Sequence, residues 1–149
     1  CDIGNGTMNV MFVNDKKPNP AKCYTEKFGT HKCMLEVREN LMRVHHTEPP
    51  EEMITRVLRF GTADIDGAYL KTIIDTAREY AAVIFRRLRD YGYDPKLMKL
   101  YIVGGGGCLI RNFADYDESR VIINDDICTT AKGYERMLEM KLFRIGGKV

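Results

Sequence analysis

The chain has 149 residues, of which 44% are hydrophobic and 30% charged, and its formal net charge at pH 7 is +2. A single domain of this size and composition can bury a core without disulfides or a metal ion. The small net charge gives no electrostatic reason to expect direct binding to nucleic acid or to a membrane surface.

The five cysteines, Cys1, Cys23, Cys33, Cys108 and Cys128, are odd in number and include no CxxC pair. This spacing argues against a disulfide framework or a zinc site and favours a reducing compartment. The sequence also shows no signal peptide and no apolar run long enough to span a bilayer. We therefore expect a cytoplasmic protein without a membrane partner.

The first elements of the chain predict a hairpin followed by a helix. Residues 8–13 are mostly apolar and predict a strand, residues 14–20 are rich in turn residues, and residues 21–28 predict the returning strand. Gly29-Thr30 then opens a helix, whose apolar residues recur at helical spacing as far as Val44.

The middle of the chain predicts two further helices. Thr47-Glu48-Pro49-Pro50 ends the first helix, because two prolines cannot continue it. A short helix is expected from Glu51 to about Phe60, within a helical insert that spans residues 45–66. Residues 67–91 carry a continuous apolar stripe and predict the longest helix, which stops at Gly92.

The last third of the chain alternates short strands with helices. Leu100-Tyr101-Ile102-Val103 predicts a buried strand that runs into Gly104-Gly105-Gly106-Gly107 and then a helix over residues 108–113. Residues 121–123 predict another buried strand, and a last helix is expected to begin near Thr129 and to carry Ala131, Tyr134, Met137, Leu138 and Leu142. The order of elements indicates an α/β domain with a layered architecture.

The methionines of the predicted helices are interpreted as core residues rather than as part of a cofactor site. The chain has eight, among them Met34, Met42, Met98 and Met137. The flexible side chain of methionine fills irregular gaps in apolar cores.

One glycine-rich turn lies at the start of the chain, in Asp2-Ile3-Gly4-Asn5-Gly6-Thr7. Gly4 and Gly6 lack a Cβ, so their backbone can approach a phosphate and present N–H groups to it. Thr7 adds a hydroxyl, and Asp2 is placed to hold a hydrated Mg²⁺ ion. An ordinary glycine turn after a strand is the alternative interpretation. Because a strand normally leads into such a turn, we expect the sequence to begin partway through a larger protein.

A second glycine-rich turn is formed by Gly104, Gly105, Gly106 and Gly107, between a buried strand and a helix. A strand, a glycine turn and a helix N-terminus together can bind an anion or a nucleoside. Four consecutive glycines carry a high conformational entropy cost on folding. A merely flexible or tightly packed turn is the alternative interpretation here.

The two turns together resemble the second half of the actin, Hsp70 and sugar-kinase superfamily, over nearly the whole chain from Asp2 to about Tyr134. Within it the similarity is to the ParM-like plasmid-segregation group, through residues 101–110 and the tail of residues 124–134. The resemblance implies an actin-like, ribonuclease H-like fold in which residues 1–149 are the C-terminal nucleotide-binding domain. Asn5 departs from the glycine common in that family.

The resemblance also implies which residues bind a nucleotide. The phosphates of ATP would contact Asp2, Gly4, Asn5, Gly6 and Thr7, with Mg²⁺ bound to Asp2 through water. The adenosine would contact Gly104, Gly105, Gly106, Gly107 and Ile110, with Arg38 and Glu39 flanking the base. The other phosphate loop and the catalytic residues would lie upstream of Cys1, so this chain alone is expected to show little ATPase activity.

The function implied by the resemblance is ATP-driven filament assembly that segregates plasmid DNA. The expected partners are further copies of the protein and a DNA-bound adaptor, without direct contact to nucleic acid. An Hsp70-like chaperone, a small-molecule kinase and a scaffold that binds ATP without hydrolysing it stay open as alternatives, because fold similarity alone does not define function.

Overall fold

A computed structural model describes residues 1–124 and 126–146. Asp125, which belongs to the tail of residues 124–134, lies outside these residues. The strands are β1 (Asp2–Ile3), β2 (Met8–Asn14), β3 (Lys17–Glu26), β4 (Leu100–Ile102) and β5 (Val121–Ile123). The helices are α1 (Thr30–His45), α2 (Glu51–Phe60), α3 (Gly67–Asp90), α4 (Gly107–Phe113) and α5 (Thr129–Gly146).

The strands form a three-stranded sheet in the order β1-β2-β3 and a two-stranded sheet of β4 and β5. The first three are antiparallel, and β4 and β5 are parallel. A parallel bridge between Asp2 and Val103 joins the two parts. Its hydrogen bonds run from the N–H of Ile3 to the Val103 carbonyl, 3.0 Å, and from the N–H of Val103 to the Cys1 carbonyl, 2.9 Å. The predicted α/β class, a mixed sheet with flanking helices, is confirmed.

The hairpin between β2 and β3 is longer than the sequence predicts. Its turn contains only Asp15 and Lys16, both with positive φ (49° and 63°), which is the backbone of a tight two-residue hairpin loop. The predicted turn of residues 14–20 is therefore wrong for Asn14, which belongs to β2, and for residues 17–20, which belong to β3. The prolines Pro18 and Pro20 are accommodated because β3 is an edge strand.

The core lies on one face of the sheet, beneath the helices. Inward-facing strand residues such as Ile3, Met8 and Ile102 are fully buried there. Helix α1 packs along α3, and the Asn40 amide donates to the Thr76 hydroxyl at 2.9 Å between them. The region predicted as an insert contributes α2, whose Ile54, Val57 and Leu58 are buried in the same core.

The opposite face of the sheet and the last helix are open. Met11 and Tyr101 are 55% and 58% exposed on the bare face. The apolar residues of α5 as far as Phe143 are also exposed, including Tyr134, Leu138 and Leu142. The core assignment of Met42 and Met137 is wrong, because they are 44% and 63% exposed. None of the helices described here combines the length and apolar character needed to cross a bilayer.

Candidate functional site

The two glycine-rich turns lie side by side at one edge of the sheet. They follow β1 and β4, which run parallel, and the carboxyl ends of parallel strands meet at the same edge. The N–H of Gly106 donates to the Ile3 carbonyl at 2.9 Å. A Cβ on Gly106 would lie 2.3 Å from Cγ2 of Ile3, so only glycine allows this approach. The pairing of the turns is therefore built into the backbone.

The turn between β1 and β2 has its carbonyls fixed on one side. The Gly4 carbonyl accepts from the N–H of Thr30 at 3.0 Å, and the Asn5 carbonyl accepts from the N–H of His31 at 2.9 Å. Both donors belong to the first turn of α1, which has no side-chain cap. The turn thus satisfies two of the N–H groups that a helix leaves open at its start.

These carbonyl contacts set the direction of the neighbouring N–H groups. The peptide bonds of the described chain are trans, and in a planar trans peptide the N–H points opposite to the carbonyl before it. The N–H groups of Asn5 and Gly6 therefore point away from α1, and both residues are exposed. Among the hydrogen bonds of the described residues, none is donated by these two N–H groups. Adjacent open backbone donors of this kind favour an anion.

The second turn is shaped by close contact with β1. Gly104 has φ of +86°, and a Cβ there would lie 2.5 Å from Oδ1 of Asp2 and 2.8 Å from the Ile3 carbonyl oxygen. The N–H of Gly107 donates to the Gly104 carbonyl at 3.0 Å, where α4 begins. Gly105 is the exposed member of the turn, whereas the other three glycines are buried. Ligand contact at this turn is therefore available through Gly105 and the backbone beside it.

Asp2 belongs to β1, and its side chain lies against the second turn. Its Oδ2 accepts from the Thr130 hydroxyl at 3.0 Å, near the start of α5. Its Oδ1 faces the Cα of Gly104. A partly exposed carboxylate on the strand that leads into the turn with the open N–H donors fits an outer contact to a hydrated Mg²⁺ ion, which keeps several of its waters when bound. The described residues contain no cluster of three or more His, Cys, Asp or Glu side chains that would bind a metal directly.

The remaining predicted site residues lie elsewhere. Arg38 and Glu39 are on α1, eight and nine residues after Thr30, so Arg38 lies about 12 Å along the helix axis from the first turn. The contacts that join the two turns do not involve either residue. Ile110 is fully buried, so its side chain supports α4 from the core side.

Two residues that sequence analysis missed help to build the site. Gly29 precedes α1, and its position against the Asn5 backbone would place a Cβ 2.3 Å from the Asn5 carbonyl oxygen. Asn112 on α4 donates to the carbonyls of Leu58 and Arg59 at 3.2 and 2.9 Å, which ties α2 to the helix after the second turn. A single glycine before a helix and a single asparagine within one carry no sequence signal for such contacts.

This arrangement of strands, turns and helices is the actin-like fold. The archaeal actin homologue Ta0583 superposes with a TM-score of 0.63 at 20% identity, over 94% of this chain and 47% of that one. Bacillus thuringiensis ParM with ADP superposes with a TM-score of 0.61 at 18% identity, over 93% of this chain and 46% of that one. A non-polymerisable quadruple mutant of pCBH ParM gives a TM-score of 0.63 at 17% identity, over 93% and 45%.

The chain therefore spans less than half the length of these solved structures. No protein-family model matches its sequence, and no curated protein matches it significantly.

Proposed function

We propose that this chain is the nucleotide-binding C-terminal domain of a ParM-like actin homologue that binds ATP with Mg²⁺. The observation that carries the proposal is the pair of glycine turns at one sheet edge, with the N–H groups of Asn5 and Gly6 open in the turn that follows Asp2 and Ile3. The open donors would bind the phosphates, Asp2 would hold the hydrated metal, and Gly104–Gly107 would border the nucleoside. Arg38 and Glu39 are proposed to flank the base.

The similar solved structures support this proposal. Bacillus thuringiensis ParM was solved with ATP, with ADP and with AMPPNP, and this chain matches the ADP-bound structure over 93% of its length. The identity is 18% or lower in these three, so the similarity alone does not assign a ligand to this chain. ATP binding is therefore proposed from the geometry of the two glycine turns together with the similarity.

Hydrolysis is proposed for the full-length protein and not for this domain alone. Phosphoryl transfer depends on positioning and charge stabilisation from several sides of the nucleotide, and the two turns contact it from one side. The residues that activate the attacking water are proposed to lie upstream of Cys1. We expect the 149-residue chain to bind ATP weakly and to show little or no turnover.

Filament assembly is the proposed output of ATP binding. Actin-like filaments need head-to-tail contacts that do not close into a ring. Further copies of the protein and a DNA-bound adaptor are the proposed partners, in plasmid segregation in the cytoplasm, and the net charge of +2 agrees with indirect DNA contact.

A binding experiment on residues 4–7 between β1 and β2, here called the phosphate turn, tests the site. Gly6→Pro removes the N–H of residue 6 and is expected to weaken ATP binding by the full-length protein about tenfold or more, the loss typical of a hydrogen bond to a charged group. Gly6→Ala keeps the N–H, and its Cβ meets no atom within 4 Å, so it separates loss of the donor from loss of the glycine. Equal affinity of Gly6→Pro and wild type in calorimetry would contradict the site.

Light scattering and phosphate release from the full-length protein test the output. An ATP-dependent rise in scattering with phosphate release supports the ParM-like assignment. ATP turnover without assembly, with release of peptide clients, would support an Hsp70-like ATPase. Binding without turnover or assembly would support a scaffold, and ATP-dependent phosphorylation in a substrate screen would support a small-molecule kinase.

A further inference from the structure

A buried tyrosine on α3 contacts the residue from which α1 begins. Tyr80 is 1% exposed, and its hydroxyl donates to the Gly29 carbonyl at 2.8 Å. Its ring stacks on Phe28, with centroids 4.5 Å apart and planes 8° apart. Burial raises the pKa of Tyr80 well above the usual range, so the hydroxyl keeps its proton and stays a donor.

Gly29 contacts both Tyr80 and the phosphate turn. The Gly29 Cα lies against the Asn5 backbone so closely that a Cβ would come within 2.3 Å of the Asn5 carbonyl oxygen. The next two residues, Thr30 and His31, hold the carbonyls of Gly4 and Asn5. The first turn of α1 therefore determines where the open N–H groups point, and Tyr80 contacts that first turn from the core.

The hydroxyl supplies a contact that packing alone does not require. A phenylalanine would fill the same space against Phe28. The start of α1 has no side-chain cap. The Gly29 carbonyl accepts a hydrogen bond from the N–H of Lys32, three residues later, at 3.2 Å. The Tyr80 hydroxyl is a second and shorter contact to that carbonyl, so removing the hydroxyl would leave this buried carbonyl with only the longer of its two hydrogen bonds.

We propose that Tyr80 is a positioning residue for nucleotide phosphates, acting through the Gly29 carbonyl and the first turn of α1. Tyr80 does not touch the ligand. It holds Thr30 and His31 in place, these hold the carbonyls of the phosphate turn, and the opposite N–H groups of Asn5 and Gly6 are thereby aimed at the ligand. This inference rests on the proposed binding of phosphates at that turn.

The test is Tyr80→Phe in the full-length protein, with Tyr93→Phe as the matched control. Tyr93 is also buried, at 7% exposed, but its hydroxyl has no hydrogen-bond partner in the described part of the chain. Removal of either hydroxyl leaves the ring in place, so the two variants differ in whether a hydrogen bond is lost. Melting curves without ligand establish that both variants are folded at the assay temperature.

Three measurements separate positioning from loss of stability. We expect Tyr80→Phe to raise the dissociation constant for ATP about two- to tenfold, because the net contribution of one hydrogen bond limits how far its loss can shift the turn away from the binding conformation. The affinity for adenosine, measured by saturation-transfer NMR, should be unchanged because adenosine carries no phosphate. Amide hydrogen exchange at Thr30 and His31 should accelerate in the free protein, and Tyr93→Phe should leave all three quantities at wild-type values.

The outcomes distinguish the inference from the function on which it rests. Unchanged exchange at Thr30 and His31 in Tyr80→Phe would overturn the positioning role, with or without a nucleotide. Wild-type ATP affinity in that variant, or equal losses for ATP and adenosine, would also overturn the role. A wild-type protein that binds no ATP would contradict the proposed function, and would with it refute a role toward nucleotide phosphates even if exchange accelerates.

Discussion

Replacing Gly29 with alanine should displace the turn between β1 and β2. The new Cβ would lie 2.3 Å from the Asn5 carbonyl oxygen and 2.6 Å from the Gly4 carbonyl oxygen. Both are backbone atoms, so no flexible side chain can move aside. Because favourable contact lies near 3.5 Å, the turn must retreat by about 1 Å.

The expected loss follows from the contacts that such a retreat would break. Gly29 has φ of −101° and ψ of −175°, an extended backbone that alanine also adopts, so the effect is steric. The bonds from Thr30 and His31 to the turn carbonyls would lengthen beyond useful range. Two lost hydrogen bonds at about 1 kcal/mol each, with overpacking of about 1–3 kcal/mol, predict a fall of roughly 3–5 kcal/mol in the free energy of unfolding.

Urea-induced unfolding followed by circular dichroism measures this loss, with Gly67→Ala as control. Gly67 begins α3, and a Cβ there meets no atom within 4 Å. The free energy of unfolding of the Gly67→Ala variant should therefore stay within about 0.5 kcal/mol of wild type or rise slightly. If Gly29→Ala unfolds at the same urea concentration as wild type, the close contact between the start of α1 and the turn is refuted.

Gly104→Ala should lower the free energy of unfolding by about 2 kcal/mol or more, because φ of +86° disfavours alanine and its Cβ would lie 2.5 Å from Oδ1 of Asp2; a wild-type urea midpoint would contradict this. Arg87→Met breaks the ion pair with Glu26, and should cost about 1–3 kcal/mol; a double-mutant cycle with Glu26→Gln checks it, and purely additive losses would refute the coupling. Burial, with a nearby carboxylate, raises the pKa of Cys33 to about 12, so iodoacetamide at pH 8 should modify this thiol about a thousandfold more slowly than in the unfolded chain. Because the unfolded thiol ionises near pH 9 and the folded thiol only near 12, Cys33 should also make the free energy of unfolding fall as the pH rises above 9.

Helices and parallel strands were predictable because each is encoded locally. The apolar stripe of residues 67–91 matches α3, and the proline pair after Thr47 separates α1 from α2 as expected. The strand before each glycine turn could be expected from short apolar runs or from the turn itself. These signals depend on neighbours within a few residues along the chain.

The errors arise where the tertiary environment decides. Residues 17–20 have turn composition, but two prolines are tolerated in a strand once that strand lies at the sheet edge. Met42 has helical spacing but faces outward from α1. Tyr80 and Gly29 are separated by 51 residues, and their contact depends on how α3 packs along α1. No local pattern contains that information.

The place of Ile3 constrains how this site can be re-engineered. Its main chain continues into one glycine turn, while its side chain and carbonyl lie against Gly104 and Gly106 of the other. A graft that exchanges either turn for that of another protein would have to bring β1 with it. Variation for a different ligand is better directed at Gly105, which is exposed and whose Cβ would have only Ile127 within 4 Å. The Asn5 side chain, by contrast, accepts a hydrogen bond from the Thr30 hydroxyl at the start of α1.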